Sequence, residues 1–206
     1  MALFQQHGVV RQISGDVTID GRGNMNTYLC LLRGINVGGK NLISKDQLID
    51  VFAGLDLENV RTYIQSGNVM FQSSSADGAA MTAPIEQALA ERFDYPARAV
   101  VLAREKYAAM LEAAHRGWGK SDEHRHNALF TLANITPDRL MRQLPPPEKG
   151  IETVSATEHA LFWSADKKQL MKTTMTKLTR SPWYRMLTVR NHKTVFKLRE
   201  LLDEFG

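Results

Sequence analysis

A hairpin set between two helices is the feature of this sequence that most constrains its fold. Residues 60–65 and 69–72 predict two short strands, and they are separated by Ser66-Gly67-Asn68, a hairpin signal. An apolar strand at residues 28–33 precedes this hairpin, with a helix between them, and a second helix and strand follow it. The order strand, helix, strand, strand, helix, strand is that of a ferredoxin-like βαββαβ unit.

The helices of this unit carry their own boundary signals. Ser44 and Gln47 form a capping-box pattern that opens the first helix. In the second helix, residues 83–93, Ile85 and Leu89 are spaced by four and predict one apolar face. A strand over residues 97–102 closes the unit.

The second half of the chain repeats this order of elements after a linking helix over residues 105–115. We predict strands at 127–133, 151–155, 160–163 and 187–189, and helices at 137–144, 168–178 and 193–205. The sequence therefore predicts an α+β fold of two ferredoxin-like βαββαβ halves in tandem, with antiparallel sheets and helices packed on one face of each.

Composition divides the chain into a leader and two halves. Residues 1–24 are rich in Gly, Gln and Asp and end just before a second methionine, Met25, so we expect a poorly ordered leader outside the natural domain. We expect the first ferredoxin-like half at residues 25–103 and the second, with its C-terminal helix, at residues 104–206.

Cysteine content and hydropathy indicate the compartment. The single cysteine, Cys30, lies in an apolar strand, which suits a reducing cytosol and a packed core thiol. No stretch reaches the ~20 apolar residues of a membrane span, and the first residues lack a signal-peptide pattern. We expect a cytoplasmic protein that does not associate with membranes, and the sequence indicates no cofactor.

A glycine-rich loop follows the first strand, from Gly34 to Asn41. It nearly satisfies the P-loop pattern, but Asn41 stands where a hydroxyl must ligate magnesium, so we do not expect a P-loop NTPase. Free backbone N–H groups, with Asn36 and Lys40, still favour phosphate binding there. A flexible connection with Lys40 in solvent is the open alternative.

Polar and aromatic side chains share one face of the first hairpin strand. Arg61, Tyr63 and Gln65 alternate with a more apolar set, and helices on one face of the sheet would leave them on the open side. With Asn68 in the turn, they are suited to grip a phosphate, stack a base and contact its edge. A solvated strand face without a ligand remains the alternative.

Positive charge is concentrated in the second half. Residues 1–103 carry 8 basic and 10 acidic side chains, whereas residues 104–206 carry 18 and 12. A run without any acid contains Lys167, Lys168, Lys172, Lys177, Arg180, Arg185, Arg190, Lys193, Lys197 and Arg199. Such a run favours binding of polyanions or phosphorylated ligands, although charged outer faces of helices explain part of it.

Arg190 and Asn191 lie where the last predicted strand meets the final helix. Asn191 suits the N-cap position, and Arg190 would stand beside helix N–H groups that can bind a phosphate or carboxylate. A helix cap with a structural ion pair explains the two residues equally. His124 and His126 fit a polar surface turn, so we expect no metal site.

Three sequence blocks resemble the signature blocks of the bacterial domain-of-unknown-function family numbered 1697. They are residues 31–40, residues 60–69, and residues 188–191 with Thr194. The resemblance extends from Met25 to the C-terminus and implies an α+β fold of two ferredoxin-like halves, but no reaction. The chain departs from the family pattern at His192, where a tryptophan is expected.

These observations predict an uncharacterised cytoplasmic protein that binds an anionic ligand, nucleic acid or nucleotide, in a basic cleft. An enzyme acting on a small phosphorylated metabolite or nucleotide and a protein-interaction adaptor are the alternatives, and the sequence indicates neither a catalytic residue nor an oligomeric state. The predicted ligand-binding residues are Arg33, Asn36, Lys40, Arg61, Tyr63, Gln65, Asn68, Lys172, Arg190 and Asn191.

Overall fold

A computed structural model describes residues 25–36, 42–64, 67–94, 96–132 and 135–205. The predicted leader, residues 1–24, and two of the predicted ligand-binding residues, Lys40 and Gln65, lie outside these ranges.

Eight strands and six α-helices make up the described parts of the chain. The strands are β1 (Asn26–Arg33), β2 (Glu58–Tyr63), β3 (Asn68–Ser73), β4 (Arg98–Ala103), β5 (His124–Thr131), β6 (Glu152–Ala156), β7 (Ala160–Asp166) and β8 (Leu187–Asn191). The helices are α1 (Lys45–Ala53), α2 (Thr82–Phe93), α3 (Arg104–Glu112), α4 (Pro137–Gln143), α5 (Thr174–Leu178) and α6 (His192–Asp203). Short 3-10 helices lie at Ala79–Met81, Lys167–Lys172 and Pro182–Met186.

The strands form two four-stranded antiparallel sheets with the same topology. Their orders are β2-β3-β1-β4 and β6-β7-β5-β8. In each sheet, the first and third strands of a βαββαβ unit lie side by side in the middle and the second and fourth lie at the edges, the ferredoxin-like arrangement. The predicted fold class is confirmed.

Local capping signals determine where several helices begin. The Ser44 side chain accepts a hydrogen bond from the Gln47 backbone N–H, and the Gln47 side chain accepts one from the Ser44 N–H, so the capping box at α1 is formed. Thr136 caps α4 through the Arg139 N–H, and Pro137 fills the first turn. Asn191 is the N-cap of α6, as its position in the sequence predicts.

The predicted helix over residues 168–178 is divided in the structure. A 3-10 helix ends at Lys172, and α5 begins at Thr174. Thr173 between them has an extended backbone, with ψ at 156°, because its hydroxyl caps α5 by accepting from the Thr176 N–H. A threonine side chain that bonds to the backbone in this way competes with helix continuation.

Three apolar clusters pack between the sheets and the helices. One lies between the outer face of the first sheet and helices α1 and α2, and another lies on the outer face of the second sheet. The third, which we call the central core, combines the inner faces of both sheets with α3 and α6 and includes Leu31, Phe130 and Leu198. The middle of the first sheet's inner face is therefore covered by the second half, whereas the sequence suggested an open side.

Candidate functional site

Arg190 joins the two halves of the molecule from a buried position. Its side chain is 7% exposed. Its Nε donates to the Asn68 Oδ1 at 2.6 Å, and its Nη2 donates to the carbonyl oxygens of Leu32 at 2.9 Å and Gly67 at 3.1 Å. Burial lowers the pKa of Arg190 to about 10, so the guanidinium stays charged at neutral pH.

Neighbouring side chains add hydrogen bonds across the same junction. The Thr188 hydroxyl donates to the Leu32 carbonyl at 3.1 Å and accepts from the Arg190 Nη1 at 2.8 Å. Arg33, at the end of β1, donates from Nε to the Leu187 carbonyl at 3.0 Å. Arg33, Asn68 and Arg190, three residues that the sequence suggested as ligand contacts, thus meet where β1 and β3 approach β8.

Asn36 ties together the two ends of the glycine-rich loop. Its backbone is left-handed, with φ at 51°. Its Nδ2 donates to the Ile43 carbonyl at 2.9 Å, and its Oδ1 accepts from the Ile43 N–H at 2.8 Å. This paired contact accounts for the polar side chain of Asn36 without a ligand.

Arg61 and Tyr63 share the inner face of β2, as the alternation predicts. The Arg61 Cζ lies 4.6 Å from the ring centroid of Phe205, a cation–π contact. Tyr63 packs against the central core, and its carbonyl accepts from the Asn68 Nδ2 at 2.9 Å. Arg61 therefore lies beside the segment that follows α6, and Tyr63 lies against the central core.

The remaining two predicted ligand contacts lie in the second half. Lys172 is exposed at the end of a 3-10 helix and donates to the Gln169 Oε1 at 3.4 Å. Asn191 lies at the start of α6 and lines a concavity there. Arg33, Arg61 and Arg190 line neither that concavity nor a second one that shares residues of β5 with it.

A concavity of about 400 Å³ opens at the start of α6. It exists because β8 ends at Asn191, which pairs with Asn127, whereas β5 continues back to His124 along β7. The edge of β5 over these first residues is thus left uncovered by β8. We call this concavity the histidine pocket; its lining is His124, Arg125, His126, Asn127, Lys167, Asn191, His192 and Lys193.

The charged side chains that line the histidine pocket are all positive. Arg125, Lys167 and Lys193 are exposed, and the residues that line the pocket include no carboxylate. Asn191 caps the 12-residue α6 by accepting from the Thr194 N–H at 2.9 Å. The positive end of the helix dipole adds to the field of the side chains, so the pocket favours an anion.

The three histidines of the pocket lie near one another. Ring centroids are 5.2 Å apart for His126 and His192 and 6.1 Å apart for His124 and His126. His126 is 2% exposed, and burial lowers its pKa, as do the positive charges of its histidine neighbours and Lys167. At neutral pH the ring of His126 is therefore uncharged.

A hydrogen-bond chain behind the pocket determines the tautomer of His126. Its Nε2 lies 2.9 Å from the Ser121 carbonyl oxygen, which can only accept, so Nε2 carries the hydrogen. Its Nδ1 then accepts from the Ser164 hydroxyl at 2.7 Å, and the Ser164 oxygen accepts from the His115 Nε2 at 3.0 Å. The ring of His126 is neutral in this arrangement, and burial lowers the pKa of His115 as well.

The pocket is not arranged for a metal ion. Within the described ranges, no group of three or more His, Cys, Asp or Glu side chains is placed to hold one. Both ring nitrogens of His126 already take part in hydrogen bonds. The arrangement is suited to bind an anion and to move protons.

A second concavity, of about 280 Å³, adjoins the histidine pocket and shares Arg125 and Asn127 with it. We call it the threonine cleft; its other lining residues are Trp163, Leu170, Thr173, Met175, Thr176, Thr179, Tyr184 and Val189. It combines aromatic and aliphatic walls with the hydroxyl groups of three threonines and Tyr184.

Glu152 holds two sides of the threonine cleft together. Its Oε2 accepts from the Trp163 Nε1 at 2.6 Å, and its Oε1 accepts from the Thr174 N–H at 2.7 Å. Burial acts to raise the pKa of Glu152, but hydrogen bonds from Thr174, Glu148 and Trp163 outweigh it and lower the pKa. The carboxylate thus stays ionised and joins the buried Trp163 to the first residue of α5.

Sequence reasoning placed His124 and His126 in a surface turn, but both lie on β5. Polar residues at the start of a strand give a weak strand signal, and here pairing of His124 with Asp166 extends the sheet. The spacing of two residues was the available signal, since it places both rings on one face of a strand. Lys167 and Lys193 were within the acid-free run.

Among the described residues, no helix has the length and apolar character needed to cross a membrane.

Comparison with known proteins gives a family and a fold. A family model described as "Protein of unknown function (DUF1697)" matches residues 25–162. The solved structure of conserved bacterial protein SP0830 from Streptococcus pneumoniae is similar, with 30% sequence identity and a TM-score of 0.78. The match covers 87% of this chain and 99% of that one. No curated protein matches the chain.

Proposed function

The chain belongs to the DUF1697 family of proteins of unknown function, and from that premise we infer that it binds an anionic ligand whose phosphate group occupies the histidine pocket at the start of α6. The ligand class is nucleotide or nucleic acid. The buried Cys30 thiol and the single-cysteine composition suit a cytoplasmic location for this activity.

One observation carries the proposal. Three histidines, three exposed cationic side chains and a helix N-terminus line one concavity, and no carboxylate lines it. An anion in this position meets the summed positive field and can accept hydrogen bonds from the helix, the lysines and the asparagine.

Of the residues suggested by the sequence, Asn191 is the one to which we assign a direct ligand contact. Arg190 supports the site from behind, because its hydrogen bonds hold β8, the strand that leads to Asn191, against the first half. Arg33 and Asn68 belong to the same supporting junction.

The test is calorimetric titration of the full chain with inorganic phosphate, pyrophosphate and a short single-stranded oligonucleotide at several salt concentrations. We expect saturable binding that weakens as salt rises, because binding releases counterions. Lys193→Glu should lower the affinity for pyrophosphate by roughly tenfold or more, since it places a negative charge in the pocket.

Lys172→Glu is the matched control. It makes the same change of charge at an exposed lysine of the same acid-free run, away from the pocket. Affinity should be nearly unchanged in this variant. Equal losses in the two variants, or no binding of any of the anions, would overturn the proposal.

An enzymatic role is the second candidate, favoured by the chain from His115 through Ser164 to His126, which can pass a proton toward the pocket. Turnover of a phosphorylated metabolite that is lost in His126→Asn, with pyrophosphate affinity retained, would support it. An adaptor role has less support. The exposed large apolar side chains of the described residues, Leu42, Ile64, Met171 and Phe196, lie on four separate segments.

A further inference from the structure

We propose that the ligand is a single nucleoside monophosphate, with its phosphate in the histidine pocket and its base in the threonine cleft. This inference rests on the proposed function, because it takes the phosphate position from it. It adds a second, base-binding site and narrows the ligand from nucleotides and nucleic acids to one molecule that occupies both concavities.

The two concavities lie on opposite faces of the second sheet and share two residues of β5. Arg125 and Asn127 line both of them. Side chains alternate along β5, so His124 and His126 lie on the inner face with the histidine pocket, whereas Arg125 and Asn127 lie on the outer face with the threonine cleft. A ligand that occupies both concavities would pass around the edge of β5 at Arg125, which β8 leaves uncovered. Volumes of about 400 and 280 Å³ together fall within the range of roughly 300–1,000 Å³ that is usual for small-molecule sites.

The chemistry of the threonine cleft fits a heteroaromatic ring. Tyr184, Met175 and Val189 supply apolar and aromatic contact area. The Thr176 hydroxyl donates to the Leu170 carbonyl at 2.7 Å, and the Thr179 hydroxyl donates to the Thr176 carbonyl at 2.9 Å. Each hydroxyl oxygen keeps a lone pair that can accept from an N–H or amino group on the base.

The side chains shared by the two concavities suit the middle of such a ligand. Arg125 is exposed, and its planar guanidinium can bond to a phosphate or stack on a base. The Asn127 amide offers a donor and an acceptor together, the pattern that pairs with the edge of an adenine. A sugar would then lie between the two recognised groups.

The cleft is preorganised for this role. Glu152 bonds to both Trp163 and the Thr174 N–H, so the floor and the α5 wall of the cleft are held at a constant separation before any ligand binds. A site that is already ordered loses less entropy on binding, and the base contributes correspondingly more to affinity.

The experiment compares inorganic phosphate, ribose 5-phosphate, a purine nucleoside monophosphate and the corresponding nucleoside by calorimetry. We expect the nucleoside monophosphate to bind at least roughly tenfold more tightly than ribose 5-phosphate, because stacking of one base contributes on that scale. Tyr184→Ala should remove most of this difference while phosphate affinity stays unchanged, and Tyr184→Phe should retain it.

A second variant guards against misfolding of Tyr184→Ala. Thr179 is exposed at the rim of the cleft, so Thr179→Trp should fold and occupy the space of the base. It should weaken nucleoside monophosphate binding and leave phosphate binding intact.

The possible failures are distinguishable. Phosphate binding with equal affinities for ribose 5-phosphate and the nucleoside monophosphate would overturn this inference and leave the proposed function standing. A dinucleotide that binds at least roughly tenfold more tightly than the monophosphate would also overturn it, since the ligand would then be a nucleic-acid strand. Absence of any phosphate binding would overturn the proposed function itself.

Discussion

The guanidinium of Arg190 holds together segments that are far apart along the chain. Its acceptors at Leu32, Gly67 and Asn68 lie 158, 123 and 122 residues away. Burying a guanidinium is costly unless its donors are satisfied, and here neutral oxygens from both halves accept them. Arg190 therefore has a structural role at the junction between the halves. The lining of the histidine pocket includes the next residue, Asn191.

Gly67 is the residue at this junction where substitution gives the sharpest test. Its φ is +73°, and an added Cβ would lie 2.7 Å from the Leu32 Cβ and 2.9 Å from the Ile35 side chain. Gly67→Ala should therefore lower the free energy of unfolding by roughly 2–5 kcal/mol, combining backbone strain of about 1–2 kcal/mol with overpacking of about 1–3 kcal/mol. Urea unfolding measures the loss.

Gly150→Ala is the matched control for this substitution. Gly150 has a similar φ of +79°, but no atom lies within 4 Å of an added Cβ. We expect it to show the backbone strain alone, about 1–2 kcal/mol. Equal losses for the two variants would show that Gly67 makes no close approach to Leu32 and Ile35.

Helix α6 connects the stability of the fold to the proposed site. Its buried residues Val195, Leu198 and Leu202 pack into the central core, whereas its first turn lines the histidine pocket. One element therefore presents helix N–H groups to the histidine pocket and anchors them to both sheets. The cap residue Asn191 takes part in both roles. A substitution that removes the cap and one that keeps it can therefore separate the two roles.

Substitutions of Asn191 should change stability and anion affinity independently. Asn191→Ala should cost about 1 kcal/mol of unfolding free energy through loss of the cap, and it should weaken pyrophosphate binding. Asn191→Asp should keep the cap and the stability but also weaken pyrophosphate binding, because it adds a carboxylate to the pocket. Denaturation and calorimetry on the same samples measure the two effects.

Ser44→Ala serves as the control for loss of a cap. Ser44 caps α1 and does not line the histidine pocket. Its substitution should lower the free energy of unfolding about as much as Asn191→Ala does, without changing pyrophosphate affinity. If Asn191→Asp binds pyrophosphate as tightly as the natural chain does, the first turn of α6 is not part of an anion site.

At the scale of the whole molecule, one buried and two partly buried histidines make stability depend on pH. Burial lowers the pKa of His115, His126 and His159 below the ordinary value of 6.5. The unfolded chain then binds more protons than the folded one, so stability is greatest above 6.5 and falls as pH decreases through that value toward the folded-state pKa.

Urea unfolding at a series of pH values between about 8 and about 5 measures this dependence. Saturating pyrophosphate should reduce the loss of stability at low pH, since a bound anion favours protonated His126. In the absence of pyrophosphate, His126→Asn should make the free energy of unfolding depend less steeply on pH. A stability that is constant over this range would contradict the burial of neutral histidines.

The sequence alone predicted much of the fold, because its signals act over short distances. Three of these signals depend on residues within a few positions of one another, and the structure confirms each. They are the Ser44–Gln47 capping box, the hairpin of β2 and β3, and the Asn191 cap. The extent of β5 was underestimated, because its polar first residues become a strand only through pairing with β7.

The candidate site was less predictable for the same physical reason. Alternation along β2 placed Arg61 and Tyr63 on one face, but it carried no information on what packs against that face. The acid-free run indicated where positive charge is concentrated, without showing that Lys167 and Lys193 converge on His124 and His126.

Local sequence thus determined the order of elements, their caps and the sign of the charge in the second half, because dihedral preferences, caps and alternation are encoded within a few residues. Only the tertiary structure decided that Arg190 is buried between the halves and that His126 lies behind an open pocket. Those outcomes depend on contacts between residues separated by tens to more than a hundred positions, which form when the two sheets and α6 pack against a common core.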